Sequence, residues 1–226
     1  MKVDAVIVAA GVSTRFGPAD KLFADLCGRP VLAWSIAAFA AAASVERVVV
    51  VTGEGSLKGV EQVLLSAAGE KPGLVVAGGA RRRDSVEAGL RAARSRYVAI
   101  HDGARPLVTP ELIERCIAAA EGRAGAIAAI PVTDTVKEVR DGMVVGHLER
   151  AMLWAAQTPQ VVLRQAWLDA AAASDDDETD DAAMLARFGL ETAVVTGDPG
   201  NLKVTRPLDL ELAAAIVRSE GRSSCG

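Results

Sequence analysis

Five short segments of this sequence combine the residue types that hold phosphate. They are "AAGVSTRFGPADK" (9–21), "GGARRRDS" (78–85), "HDGARP" (101–106), "PVTDTVK" (131–137) and "GDPGNLKVT" (197–205). Glycine lets backbone N–H groups approach phosphate oxygens, as in an anion nest. Arginine then neutralises charge with a two-pronged fork and lysine with a point charge. Gathered at one edge of a sheet, such segments would suit a polyphosphate with a cation. Asp102 stands where a carboxylate could bind Mg²⁺, which prefers oxygen ligands, or hold ribose hydroxyls. It could equally cap a turn.

Other readings remain open for each segment. The first loop matches neither GxGxxG nor GxxxxGK[ST], so neither a dinucleotide site nor a P-loop is supported. Gly11, Arg15 and Lys21 read either as a phosphate cradle or as a turn with two solvated bases. "ARRRDS" reads either as a surface basic run or as a loop whose Gly78, Gly79 and Ser85 reach a base or ribose. His101 lies inside an apolar stretch and reads as a satisfied core histidine. With two histidines and no serine or cysteine partner in view, a nucleophilic triad has no support. "SDDDETDD" (174–181) lacks the spacing of a calcium loop and reads as a solvated loop.

The elements that must position these segments alternate along the chain. Strands are expected at 3–8, 47–52, 73–79, 97–104, 124–132 and 191–197. Helices are expected at 31–43, 57–69, 85–93, 109–122, 164–173, 182–189 and from Pro207 to about Arg218. Thr109 followed by Pro110 is a helix start, and Gly122 a helix end. Near-continuous apolar strands imply helices on both faces of a mostly parallel, doubly wound α/β sheet. In such sheets ligands bind beyond the carboxyl ends of the strands, which is where the five segments fall. The alternating stretch "DTVKEVRDGMVVGHLER" turns at Asp141–Gly142 and reads as a hairpin arm projecting from the sheet. A single domain spanning 1–226 is expected, with the arm at about 132–150.

Composition narrows the class. A net charge of -4 argues against a nucleic-acid partner. Cys27, Cys116 and Cys225 are too few and too scattered for a disulfide scaffold or a zinc site. Asp4 interrupts the first apolar run, so a secretory signal is not expected. No apolar run would cross a bilayer. A cytoplasmic protein is the expectation.

In order and spacing the segments resemble the 2-C-methyl-D-erythritol 4-phosphate cytidylyltransferase family of the non-mevalonate isoprenoid pathway. "LERAMLWAAQTPQ" (148–160), "ETDDA" (178–182) and "GNLKVTRPLDL" (200–210) extend the likeness over nearly the whole chain. The resemblance implies a Rossmann-like nucleotidyltransferase fold, CTP as substrate, Mg²⁺, transfer of CMP and release of diphosphate. By position, Ala9, Ala10, Gly11, Arg15 and Lys21 would hold the triphosphate. Gly79 and Ser85 would read the cytosine end, with Gly103 and Arg105 nearby. Asp102 and Lys203 would face the sugar phosphate, with Lys21, Arg15 and Lys203 catalytic. Asp102 is also the one implied protein contact to a metal held mainly by the CTP phosphates. Thr135 and Arg150 would reach the other site of a homodimer joined by the arm, and Thr158 and Thr179 match further substrate positions. The chain departs from the family at "PADK" before Lys21, at Ala80 and at Gly103. A ribitol 5-phosphate cytidylyltransferase and a non-catalytic nucleotide-binding module are the competing functions.

Overall fold

A computed structural model describes residues 1–11, 16, 20–173, 178 and 180–221. The chain starts with β1 (Val3–Ala9), followed by a two-strand ribbon of β2 (Asp25–Leu26) and β3 (Arg29–Pro30). Then come α1 (Val31–Ala41), β4 (Val45–Thr52), α2 (Leu57–Ala67), β5 (Gly73–Ala77), α3 (Arg82–Ala92) and β6 (Tyr97–Asp102). The second half holds α4 (Pro110–Ala120), β7 (Gly125–Pro131), β8 (Lys137–Arg140), β9 (Met143–His147) and β10 (Trp154–Leu163). It ends with α5 (Arg164–Ala173), α6 (Asp181–Ala186), β11 (Thr192–Thr196) and α7 (Pro207–Ser219).

Seven strands form one sheet in the order β11-β7-β10-β6-β1-β4-β5. Strand alternation sorts their side chains onto two faces. Ala5, Ile7, Val48, Val50 and Ala99 face one way and pack with Leu32 and Phe39 of α1, Val60 of α2, and Ile113 and Ile117 of α4. Val6, Val49, Val51, Val98 and Ile100 face the other way and meet Val86 and Leu90 of α3, Trp167 of α5, and Met184 and Leu185 of α6. Both faces are covered, as the apolar strands required. Gly89 lets α3 lie close, because a Cβ there would sit 2.4 Å from Val6 Cγ1. A third, smaller cluster joins Leu26, Trp34 and Leu107 to Val204, Ala213 and Val217 beneath α7.

Three differences from the sequence reading bear on the site. Helix α3 begins at Arg82 rather than Ser85, so two of the three arginines belong to its first turn. Strand β10 was not foreseen; it runs antiparallel between β6 and β7 and carries the "QTPQ" segment into the middle of the sheet. Cys116 is a buried free thiol, as scattered cysteines suggest, but Cys27 is disulfide-bonded. The arm is present as β8 and β9, turning through Asp141 and Gly142 at φ 49° and 77°. Two successive positive φ values are what a tight hairpin turn demands. Among the described residues no helix is long and apolar enough to cross a membrane.

Candidate active site

The carboxyl ends of β1, β5 and β6 open into one cleft of about 280 Å³. Ala9, Ala10 and Gly11 continue from β1, Gly79 and Ser85 flank the start of α3, and Asp102 ends β6. Lys21 and Lys203 complete the wall, with Arg81 and Arg82 alongside. The cleft thus gathers eight residues picked out by the sequence, from four separate segments. Arg15 and Thr179 lie outside the described residues.

Asp102 is the electrostatic centre. Its carboxylate lies 2.9 Å from Lys203 Nζ, 3.5 Å from Arg105 Nε and 3.7 Å from Arg82 Nε. Burial alone would raise its pKa, but Lys203, Arg82 and Arg105 outweigh burial and hold it far below the usual carboxylate range. Asp102, and Asp181 as the closer partner of Arg82, face Lys203, Arg105, Arg82 and the Lys21 of the cleft wall, a local positive excess that favours an anionic ligand. The same crowding disfavours direct metal ligation by Asp102. Among the described residues no group of three His, Cys, Asp or Glu side chains could hold a metal ion.

The three consecutive arginines have three different fates. Arg81 Nη2 lies 2.8 Å from Asp84, whose carboxylate also accepts the Arg81 backbone N–H at the start of α3. Arg83 is buried and donates to the Ala171 carbonyl. Arg82 lines the cleft and bonds Asp181 at 2.8 Å. Asp181 is buried, so the end of the acidic stretch is not a solvated loop. Burial pulls the Arg82 pKa down, but Asp181 and Asp102 more than offset it, keeping Arg82 charged.

Other expected residues make bonds that hold the loops together. The Ser85 hydroxyl donates to the Arg81 carbonyl and accepts the Gly79 N–H, fixing the glycine loop. Arg105 Nη1 donates to the Asn201 carbonyl at 2.8 Å, strapping the turn after β6 to the loop that carries Lys203. Burial lowers its pKa, against the pull of Asp102. Gly103 is buried within that turn, its N–H donating to the Val8 carbonyl at 2.9 Å. Thr158 is buried in β10, its hydroxyl accepting the Asp102 N–H at 3.1 Å. Gly103, Arg105 and Thr158 do not line the cleft. Thr135 and Arg150 do not either; Arg150 lies exposed at the root of the arm and donates to the Thr133 carbonyl.

The sequence reading missed the amides that tie these loops together. Gln157 bonds both backbone groups of Asp198, while Asn201 Nδ2 donates to the Thr158 carbonyl at 2.8 Å. Gln160 Oε1 accepts the N–H groups of Asp181 and Ala182 at the start of α6. The only sequence signal was polar residues inside an apolar stretch, "WAAQTPQVVL".

Comparison with known proteins places this arrangement. Residues 3–219 match the family described as IspD, 2-C-methyl-D-erythritol 4-phosphate cytidylyltransferase. A protein of that name from Prochlorococcus marinus (strain MIT 9313) is 43% identical over 220 residues, covering 94% of this chain and 96% of its own. Another from Thermosynechococcus vestitus is 43% identical over 221 residues, covering 94% of both. The crystal structure of a 4-diphosphocytidyl-2C-methyl-D-erythritol synthase from Anaerococcus prevotii superposes with a TM-score of 0.85 at 27% identity, covering 96% of both chains. The enzyme named 2-C-methyl-D-erythritol 4-phosphate cytidylyltransferase from Thermus thermophilus gives 0.79 at 30% identity, covering 96% of this chain and 100% of that one. Sequence and fold agree almost from end to end, and the chain belongs to the 2-C-methyl-D-erythritol 4-phosphate cytidylyltransferase family.

Proposed function

We propose that this protein transfers CMP from CTP to 2-C-methyl-D-erythritol 4-phosphate, giving 4-diphosphocytidyl-2-C-methyl-D-erythritol and diphosphate. The observation that carries this reading is the cleft at the sheet edge, which Lys21 lines and where Arg82 and Lys203 meet the Asp102 carboxylate. A phosphate monoester is already an anion at neutral pH and needs no general base. One of its oxygens forms a bond to the α-phosphorus of CTP. The bond from the α-phosphorus to the bridging oxygen breaks, and that electron pair leaves with diphosphate. Charge builds on the equatorial oxygens and on the leaving group, so catalysis is positioning plus electrostatics.

Backbone at Ala9, Ala10 and Gly11, with Lys21 and Arg15, binds the triphosphate in this reading. Gly79 and Ser85 shape the nucleoside end. Lys203, aimed by Asp102, meets the polyol phosphate. Mg²⁺ carried on the triphosphate would further neutralise phosphate charge. The fold supports reading residues 1–226 as one domain, because the sheet takes strands from Val3 to Thr196. The arm supports a homodimer: Val139, Met143, Val144, Val145 and Leu148 are all exposed along it. Thr135 and Arg150 then act in the site of the opposite protomer. Metabolic function in the cytoplasm fits the chemistry of a nucleotide-dependent transferase.

The direct test is diphosphate release from CTP with 2-C-methyl-D-erythritol 4-phosphate and, separately, with ribitol 5-phosphate. Turnover with the first alone is expected. Preference for ribitol phosphate would move the assignment to that substrate, and CTP binding without turnover would leave a nucleotide-binding module.

A further inference from the structure

His101 is fully buried in β6, immediately before Asp102, and does not line the cleft. Its ring packs 5.0 Å from the Phe39 ring, and both nitrogens are engaged. Nε2 lies 3.1 Å from the Arg105 carbonyl oxygen and Nδ1 lies 2.9 Å from the Thr158 hydroxyl. A carbonyl can only accept, so Nε2 carries the proton. The Thr158 oxygen already accepts the Asp102 N–H, which frees its own proton for the bare Nδ1. The bonds therefore run in one direction, from the Asp102 amide to Thr158, to His101 and on to the Arg105 carbonyl.

These groups bracket one turn. Arg105 N–H closes it by donating to the Asp102 carbonyl at 3.0 Å. Ser35 Oγ supports it from α1, 3.3 Å from the Gly103 carbonyl and 3.2 Å from that of Arg105. The turn presents the Asp102 carboxylate to Lys203. Thr158 also anchors Asn201, two residues before Lys203. One imidazole thus ties both ends of the turn, and through Thr158 it reaches the loop holding the lysine.

We propose that His101, as the Nε2–H tautomer, is a positioning residue for the polyol-phosphate half of the site, acting through Thr158 and the Asp102–Arg105 turn. The inference rests on the cytidylyltransferase reading for its kinetic consequence and on geometry alone for its hydrogen bonds. It makes His101 separable from the residues that touch CTP.

His101→Phe keeps an aromatic ring beside Phe39 and removes both bonds. It should raise KM for 2-C-methyl-D-erythritol 4-phosphate and lower kcat by about tenfold each, with KM for CTP within about twofold, as misplacement of one reacting partner predicts. His101→Asn returns an acceptor near the Nδ1 position and should recover most of the loss. In His101→Phe/Thr158→Val the deficit should be smaller than the two single deficits multiplied together, because the variants share the bond between the two side chains. Equal damage in the Phe and Asn variants, or an equal rise in both KM values, would overturn the proposal. Ring ¹⁵N NMR of the wild-type protein decides the geometry without any activity and without a variant that must fold. With only two histidines, a His147→Gln sample assigns the signals. A neutral Nε2–H ring at pH 7.5 is expected, and an Nδ1–H ring would refute the proposal. Failure of the wild-type turnover assay would instead remove the cytidylyltransferase reading and leave the NMR result standing.

Discussion

What holds Lys203 sets what its loss should do. Lys203 Nζ is tied to a carboxylate, so Lys203→Ala removes a charge aimed at the polyol phosphate and frees Asp102 to repel that phosphate. Turnover should fall by roughly 10²–10³-fold, the scale of losing one preorganised donor to developing charge. Thermal unfolding should move by only a few degrees, which calorimetry on the same samples would check. Arg82→Leu should behave in the opposite way, because it strands the buried Asp181 carboxylate. Removing one partner of a buried pair costs about 3 kcal/mol, read as a lower urea midpoint; an unchanged midpoint would deny the pair a structural role. His101 gives a pH dependence. Burial pushes its pKa down to about 4 against the pull of neighbouring Asp102, with Arg105 and Lys203 also opposing the charged form. The unfolded chain takes up its proton near pH 6.5, so this stabilisation is complete above that pH and lost as pH falls towards 4. Unfolding free energy should drop by about 2 kcal/mol between pH 7 and pH 5 from this group, and His101→Phe should flatten that slope. At this scale the sequence showed which residue types would meet, including Gly11, Lys21, Asp102 and Lys203. It did not separate Arg81 from Arg82 and Arg83, because one residue of helix rotation decides whether a side chain meets Asp84, the cleft or the core. Nor did it expose Asp181, whose partner lies 99 residues away.

Among the elements, α4 was readable from Thr109 and Pro110 alone, since the threonine side chain does accept from Leu112 N–H. The hairpin was readable from Asp141–Gly142. Strand β10 was not readable, because Gln157, Thr158 and Gln160 interrupt its apolar pattern. The two glutamine side chains are satisfied by loops that only the folded sheet brings near, Asp198 and Asn201 on one side and Asp180 and Asp181 on the other, and the Thr158 hydroxyl by His101 and the Asp102 amide of β6. A pattern rule scores such residues as polar and exposed, whereas here all three are buried. The start of α6 provides the test. Gln160→Ala leaves one buried and one part-buried N–H group without their side-chain acceptor, and each lost bond costs about 1–2 kcal/mol. Hydrogen exchange should speed up at Asp181 and Ala182 while the amides of β1 stay protected. Faster exchange across the whole sheet would show instead that β10, not the helix start, depends on Gln160. The α3 start was displaced by three residues in the sequence reading because three arginines look like surface, yet Asp84 caps that helix through the Arg81 amide.

At the scale of the whole molecule the arm is the part without a job inside one chain. Trp154 pairs with Pro131 at its root, so it leaves the sheet from β7 and β10, the strand that also holds Thr158. Replacing 136–148 by a short Asp-Gly turn should convert the proposed dimer into a monomer in analytical ultracentrifugation and leave the sheet folded. An unaltered mass would show that the apolar arm is not the contact. Because Thr135 and Arg150 stand apart from their own cleft, the two halves of a working site belong to different polypeptides in this reading. That arrangement has a genetic signature. A gene copy carrying Lys203→Ala and a copy carrying Arg150→Ala would each encode an inactive enzyme. Coexpressed in one cell, they would form mixed pairs in which a single cleft receives both an intact lysine and an intact arm. Two null alleles would then support growth together that neither supports alone.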